Sequence, residues 1–241
     1  MRLVYAELLK IRTAPWTTLT LVLALLAIVG LGAAGTSNDA NSGFVISPES
    51  DIINIAGIAT IFTLILGILA VTWDYRHGTI TQTFLVSPRR ERVIVAKLVT
   101  ALVLAALLTG LALAFALGIA EVWLGDGFQL TRDNWNHAGR ILVATLLWAV
   151  LGLGLGATLQ TQVGALISAI VWFLVVEFVL VGLGSKIWDI DQYLPGEALR
   201  EFASSGDQGR LGRATAGLLA AAYAFGFAAL GTLSALRRDV N

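Results

Sequence analysis

Glu177 is the side chain whose setting most demands an account. It stands inside the apolar run 163–184, about seven residues from the far end and so roughly 10 Å deep at 1.5 Å per residue. An acidic group near the centre of a membrane span costs about 3 kcal/mol, so it needs a partner, a proton or water. Two chemistries fit: a site for a substrate cation or a proton, or a protonated or paired carboxyl that fixes helix packing. The packing role is the preferred reading. Arg140, at the same end of the preceding apolar run, reaches toward Glu177 if the two runs form a hairpin, and the connection 160–162 is short enough for one.

Other chemistry is missing. No GxxxxGK[ST], HExxH or GxSxG pattern occurs, so nucleotide binding by a P-loop and the commoner hydrolase arrangements are excluded. His77 and His137 fall on opposite sides of the membrane, and there is no cysteine, which removes histidine-pair and thiolate metal sites. With Glu177 as the one ionisable residue deep in a span, an intramembrane hydrolase lacks its second group. The chain reads as no enzyme, with no metal or cofactor of its own.

The stretch 73–97, WDYRHGTITQTFLVSPRRERVIVAK, carries a different chemistry, that of docking. Gly78 breaks a helix that ends near Trp73. Thr79 with Gln82 three residues on is a capping-box pattern that opens a new helix. Ser87 and Pro88 then read as the N-cap and first residue of the next one. The short helix between them exposes Ile80, Phe84 and Leu85, flanked by Arg76, Arg89 and Arg90. Apolar side chains on a helix this short have no core to join, so membrane or a partner protein must cover them.

The elements that hold these groups follow from composition. Of 241 residues, 57% are hydrophobic and 13% charged, against about a quarter charged in soluble domains. Lipid is the solvent that tolerates such a surface. Six runs are long enough to span it: about 16–34, 53–73, 95–120, 138–159, 163–184 and 214–236. With the N-terminus in the cytoplasm, ten basic residues fall inside and six outside, and the first outer loop, 35–52, has none. Both termini are then cytoplasmic. Net charge is zero, which gives no ground for nucleic-acid binding.

Around the spans, 2–13 reads as an amphipathic helix on the inner leaflet. Val4, Leu8 and Ile11 lie on one face, while Arg2, Glu7 and Lys10 lie on the other. Small residues recur every four positions at Ala106, Gly110, Ala114 and Gly118, at Gly152 and Gly156, and at Ala220, Ala224 and Ala228, as helix-packing surfaces, some at a dimer seam. Trp148 and Trp172 lie inside spans as packing residues. Beyond span five, Pro195 opens a short helix whose Leu199 and Phe202 share one face; it either rests on the outer leaflet or is a solvated loop. The expected fold is an all-α integral membrane protein, one domain over 1–241. It comprises six spans, an N-terminal interfacial helix, a short cytoplasmic coupling helix and a short extracellular helical segment.

The stretch 73–97 resembles the cytoplasmic loop of type-2 ATP-binding-cassette (ABC) permeases of actinobacterial six-span export systems. The resemblance lies in Asp74-Tyr75-Arg76-His77-Gly78-Thr79, then Thr83-Phe84-Leu85, then Pro88-Arg89-Arg90. The family usually has glutamate where Asp74 stands. AELLKIRT at 6–13, Tyr193-Leu194-Pro195-Gly196, and Arg237-Arg238-Asp239 agree in order along the chain. The resemblance implies a half-transporter that pairs with a second permease chain, identical or related, above two ATPase subunits that carry ATP and Mg. It also implies that the short helix and the N-terminal helix dock into the ATPase, and that the cargo is hydrophobic or amphipathic: an antibiotic, peptide or lipid-like compound. Two other readings stay open: a stand-alone secondary transporter or channel with Glu177 as its coupling group, and a non-transporting sensor or immunity protein.

Overall fold

Between Arg213 and Arg237 the chain carries no charge, and these residues form one uninterrupted helix of 25 residues. The computed structural model describes residues 7, 9, 15–45, 47–78, 90–187, 190–206 and 210–237. All regular structure among them is helical. In chain order the helices are α1 (Pro15–Asn41), α2 (Pro48–Ala56), α3 (Ala59–Arg76), α4 (Arg90–Leu124), α5 (Arg132–Leu159), α6 (Gln162–Ile170), α7 (Glu177–Ile187), α8 (Pro195–Ala203) and α9 (Arg213–Arg237). A π-helical stretch, Val171–Val176, joins α6 to α7 as one rod. Among the described residues six segments are long and apolar enough to cross a membrane: Thr18–Asn41, Pro48–Arg76, Arg92–Leu124, Arg132–Leu159, Gln162–Gly182 and Arg213–Ser234. This layout is that of a multi-pass α-helical membrane protein.

The helices outrun the apolar runs wherever polar sequence continues a good helix. At 35 residues α4 is about 52 Å long, well beyond an apolar core of about 30 Å. Helix α5 starts at Arg132 because the Thr131 hydroxyl accepts from the Asn134 N–H at 3.4 Å and Asp133 sits in the positive first turn. Span two is broken between α2 and α3 at Gly57 and Ile58, and the Thr60 hydroxyl caps the Gly57 carbonyl at 2.8 Å.

Successive spans run antiparallel. Asn41, at the end of α1, donates to the Trp123 carbonyl near the end of α4, at 3.3 Å. Arg76, at the end of α3, donates to Gln162 at the start of α6, at 3.0 Å. The latter end is termed proximal, the former distal.

Helix α5 is the hub. Span four is buried along much of its length, whereas span five is mostly exposed. The reason is glycine. A Cβ on Gly67 would overlap the Ala149 carbonyl, and one on Gly152 the Leu64 carbonyl, so α3 and α5 touch backbone to backbone. Gly156 meets Ile68 on the same side, while Gly154 lies against the Phe227 and Ala228 backbone of α9. Ala220 and Ala224 are fully buried on α9. The stripe expected at Ala106, Gly110, Ala114 and Gly118 is not a packing face within this chain: the three outer members are exposed, and nothing approaches Gly110 or Gly118. The buried small stripe of α4 lies beside it, at Ala105, Ala112, Ala116 and Ala120.

Helix α8 departs from both expectations for its segment. Its apolar face packs on protein rather than on the leaflet or in water. Ala198 and Leu199 are buried against Ala144 of α5 and Ala220 of α9, with Phe202 over Gly217. A nine-residue helix is marginal alone, and this packing is what stabilises it.

Candidate functional site

Among the described residues, two places gather charge against apolar surface. The first is proximal. Lys97, about two turns into α4, sits in an otherwise apolar run, VIVAKLVT. Its ammonium has three donors and finds three acceptors: the Asp74 carboxylate at the end of α3, the Glu7 carboxylate at 3.1 Å and the Ala70 carbonyl at 3.1 Å. The side chains of Lys97, Asp74 and Glu7 are 4%, 1% and 12% exposed. Removing charges from water costs several kcal/mol per ion and is repaid only where geometry and hydrogen bonding are good; here one ammonium serves two carboxylates and a carbonyl. The cluster closes the proximal end of a cavity of about 290 Å³ between α1, α3 and α4, lined by leucines such as Leu66, Leu104 and Leu108.

By sequence Asp74 follows the expected end of span two near Trp73, Glu7 lies on the polar face of the expected interfacial helix, and Lys97 merges with the basic flank of span three. The structure instead buries Asp74 and Lys97, half-buries Glu7 beside them, and joins the N-terminal segment to spans two and three. The missed signal is a lone lysine flanked on both sides by aliphatic residues, which needs a carboxylate as Glu177 needs a donor.

Of the residues expected to contact an ATPase, Arg76 is exposed at the end of α3 and Arg90 opens α4. Ile80, Phe84, Leu85 and Arg89 lie outside the described residues, as do Val4, Leu8 and Ile11 of the expected interfacial helix. Of that helix, Glu7 and Leu9 are described, and both are helical.

The second place is distal. A groove of about 650 Å³ runs between α3, α5, the α6–α7 rod and α8, and Glu177 lines it. Glu177 is 6% exposed. Its Oε1 accepts from the Trp172 indole N–H at 3.1 Å and from the Gly196 N–H at 2.9 Å. Gly196 is the second residue of α8, so the carboxylate sits on the positive end of that helix, where a negative charge is favoured. A Cβ at Gly196 would collide with Oε2, which accounts for glycine there. Trp172 is thus a hydrogen-bond donor, 42% exposed, rather than a packing residue.

Arg140 does not approach Glu177 in the way the hairpin suggested. Spans four and five do turn sharply, with Gln160 in the left-handed conformation (φ 57°) and α6 starting at Gln162. Helix α8, however, is inserted at that end. The Arg140 guanidinium donates to the carbonyl of Ser204, the C-cap of α8, at 3.3 Å. A carboxylate at the N-terminus and a guanidinium at the C-terminus both match the α8 dipole. Loop bonds add to the hold: Glu201 accepts from the Leu211 N–H at 2.9 Å, Arg210 pairs with Asp191 at 3.1 Å, and the Tyr223 hydroxyl donates to the Tyr193 carbonyl at 2.9 Å. His77 is exposed at the proximal end and His137 buried at the distal end.

The chain matches no protein-family model, and no curated protein matches it.

Proposed function

We propose that the chain is the membrane-spanning permease subunit of an ABC exporter, driven by ATP hydrolysis in separate ATPase subunits, with a hydrophobic or amphipathic compound as cargo. The observation that carries this reading is the buried cluster of Glu7, Lys97 and Asp74. The residues that resemble the permease family's docking loop run from Asp74 to Arg90. A permease must pass motion from that loop, and from the N-terminal helix beside it, to the spans. Asp74 and Lys97 bracket the loop, and Glu7 belongs to the N-terminal segment, so one ammonium links the three parts that have to move together. The distal groove supports the second half of the reading, since it offers a largely apolar path lined by Glu177. The chain would act as a pair with an identical or related permease, in the cytoplasmic membrane, with no nucleic-acid partner. A stand-alone transporter working through Glu177 is less well supported, because such proteins carry several polar or broken positions at the midplane and this sequence places one ionisable residue deep in a span.

The test is association. The purified chain is expected to be at least dimeric and to bring down a P-loop ATPase subunit at a stoichiometric level. Robust substrate-driven transport in vesicles holding this chain and no ATPase defeats the assignment.

The sidedness has its own test. The proximal end, with ten of the sixteen basic residues at its flanks, is assigned to the cytoplasm. Asn38, Gln129 and Ser205 are exposed at the distal end, so cysteines placed there should react with an impermeant thiol reagent added to intact cells. Labelling of Ser87→Cys in their stead would invert the orientation.

A further inference from the structure

The distal groove has a chemistry that narrows what it can hold. Its walls are mostly aliphatic, from Ile65, Leu166 and Leu174, with Trp148 and Phe173 edge to face at a ring separation of 4.4 Å. Its polar groups are few. An ionised carboxylate accepts about four hydrogen bonds; Glu177 receives two, both on Oε1. Oε2 takes none from any described residue, and it is not sealed off from the groove. The other charges lining the groove are Glu197 and Arg200, and these pair with each other: Arg200 Nε lies 2.9 Å from Glu197 Oε2 and Nη2 closes on the same oxygen. Among the described residues Glu177 is therefore the groove carboxylate with no cation beside it, buried among apolar and aromatic walls at membrane depth.

We infer that this groove binds an amphipathic amine in its protonated form, its alkyl or aryl body along α3 and the α6–α7 rod and its ammonium on Glu177 Oε2. A charged donor makes the short, strong kind of hydrogen bond to a carboxylate, and water that would otherwise solvate Oε2 is scarce at this depth. Aromatic faces add a favourable field for a cation. An anionic amphiphile meets Glu177 head on, and a neutral alcohol leaves its charge uncompensated. That such an amine is cargo rests on the permease reading; that it binds does not.

The experiment uses the full chain in nanodiscs of zwitterionic lipid at pH 7. The probes are two dodecyl compounds with the same diazirine in the chain, one a primary amine and one an alcohol. Both partition into lipid, so the readout is labelling of the groove residues Ile65 and Leu174 relative to Phe225, which is 59% exposed midway along α9 and outside the groove, mapped by mass spectrometry. The amine is expected to label the groove about ten-fold more than the alcohol, the size of a charge-assisted hydrogen bond. In Glu177→Gln the amide oxygen still accepts from Trp172 and Gly196 while an NH₂ replaces Oε2, and the ratio should fall to about one. Equal labelling by amine and alcohol in the unsubstituted chain overturns the inference whether or not the variant folds, and so does a ratio that survives in a folded Glu177→Gln. ATPase co-purification from the same preparations reads the permease assignment separately. Loss of amine preference with the ATPase still bound removes the ligand and leaves the permease; amine preference without an ATPase does the reverse.

Discussion

Lys97→Met is expected to destabilise the chain by about 3–5 kcal/mol, the usual result of removing one member of a buried ion cluster. Methionine fills the stem volume of lysine, so the loss is electrostatic rather than a cavity. It strips from Asp74 and Glu7 the ammonium they share, and it leaves the Ala70 carbonyl one donor short. Two carboxylates brought together without that cation also repel each other. In a chain of this length the melting midpoint in detergent should drop by about 10 °C. A neutral partner should undo most of the damage: Lys97→Met with Asp74→Leu replaces the pair by apolar groups, and such replacements are often close to neutral. Glu7→Gln should cost far less, about 1 kcal/mol, because Glu7 is the most exposed of the three and an amide still accepts from Lys97. The order matters as much as the size. If Lys97→Met melts within a degree or two of the unsubstituted chain, or if adding Asp74→Leu makes it worse, the cluster is not what joins spans two and three.

That cluster also shows where reading the sequence stops. Hydropathy finds the spans because lipid imposes one requirement on every residue of a run. The last span was bounded at 214–236 and forms a helix from Arg213 to Arg237, since arginines stand at both ends of an unbroken apolar run. It finds helix ends poorly, because a helix continues into water when its polar residues cap it. Thr131 and Asp133 start α5 six residues ahead of the apolar run that begins at 138. Small-residue stripes were half legible. Gly152 and Gly156 stand out on α5, but α4 carries two such stripes side by side, and only a neighbour decides which is buried.

The charges were the hardest part, for a geometric reason. Glu7 and Lys97 are 90 positions apart and Gly196 and Glu177 are 19 apart, and no local pattern pairs them. Glu177 stands out because it lies deep in a span. Lys97 is continuous with the basic flank of span three and does not. Glu177 holds the first turn of α8, while Arg140, the partner expected for it, grips the other end of that helix. What tertiary structure added was α8 itself, a short helix with a carboxylate at its start and a guanidinium on its C-cap carbonyl.

The coupling assignment turns on Phe84 and Leu85, which lie beyond the described residues but between Asp74 and Lys97 in the chain. Phe84→Ala with Leu85→Ala is expected to weaken ATPase association at least thirty-fold. An apolar anchor seated in a partner's pocket loses about 2 kcal/mol or more on truncation, and each 1.4 kcal/mol is a factor of ten. Neither residue belongs to a span, so membrane insertion and the melting midpoint should not change. The Lys97–Asp74 pair sits at the root of the loop and should still form. Transport should fall in parallel with the ATPase retained. Charge reversal at Arg76 should do less, and its effect should fade as salt is raised, because an exposed cation steers docking more than it holds it. Arg76 also donates to Gln162, so Arg76→Gln serves as the control that removes charge while keeping a side chain able to reach that amide. The rival outcome is sharp. If the segment only lies on the inner leaflet, the double variant binds the ATPase as before and transports at a near-normal rate, and the loop between spans two and three then has no part in coupling.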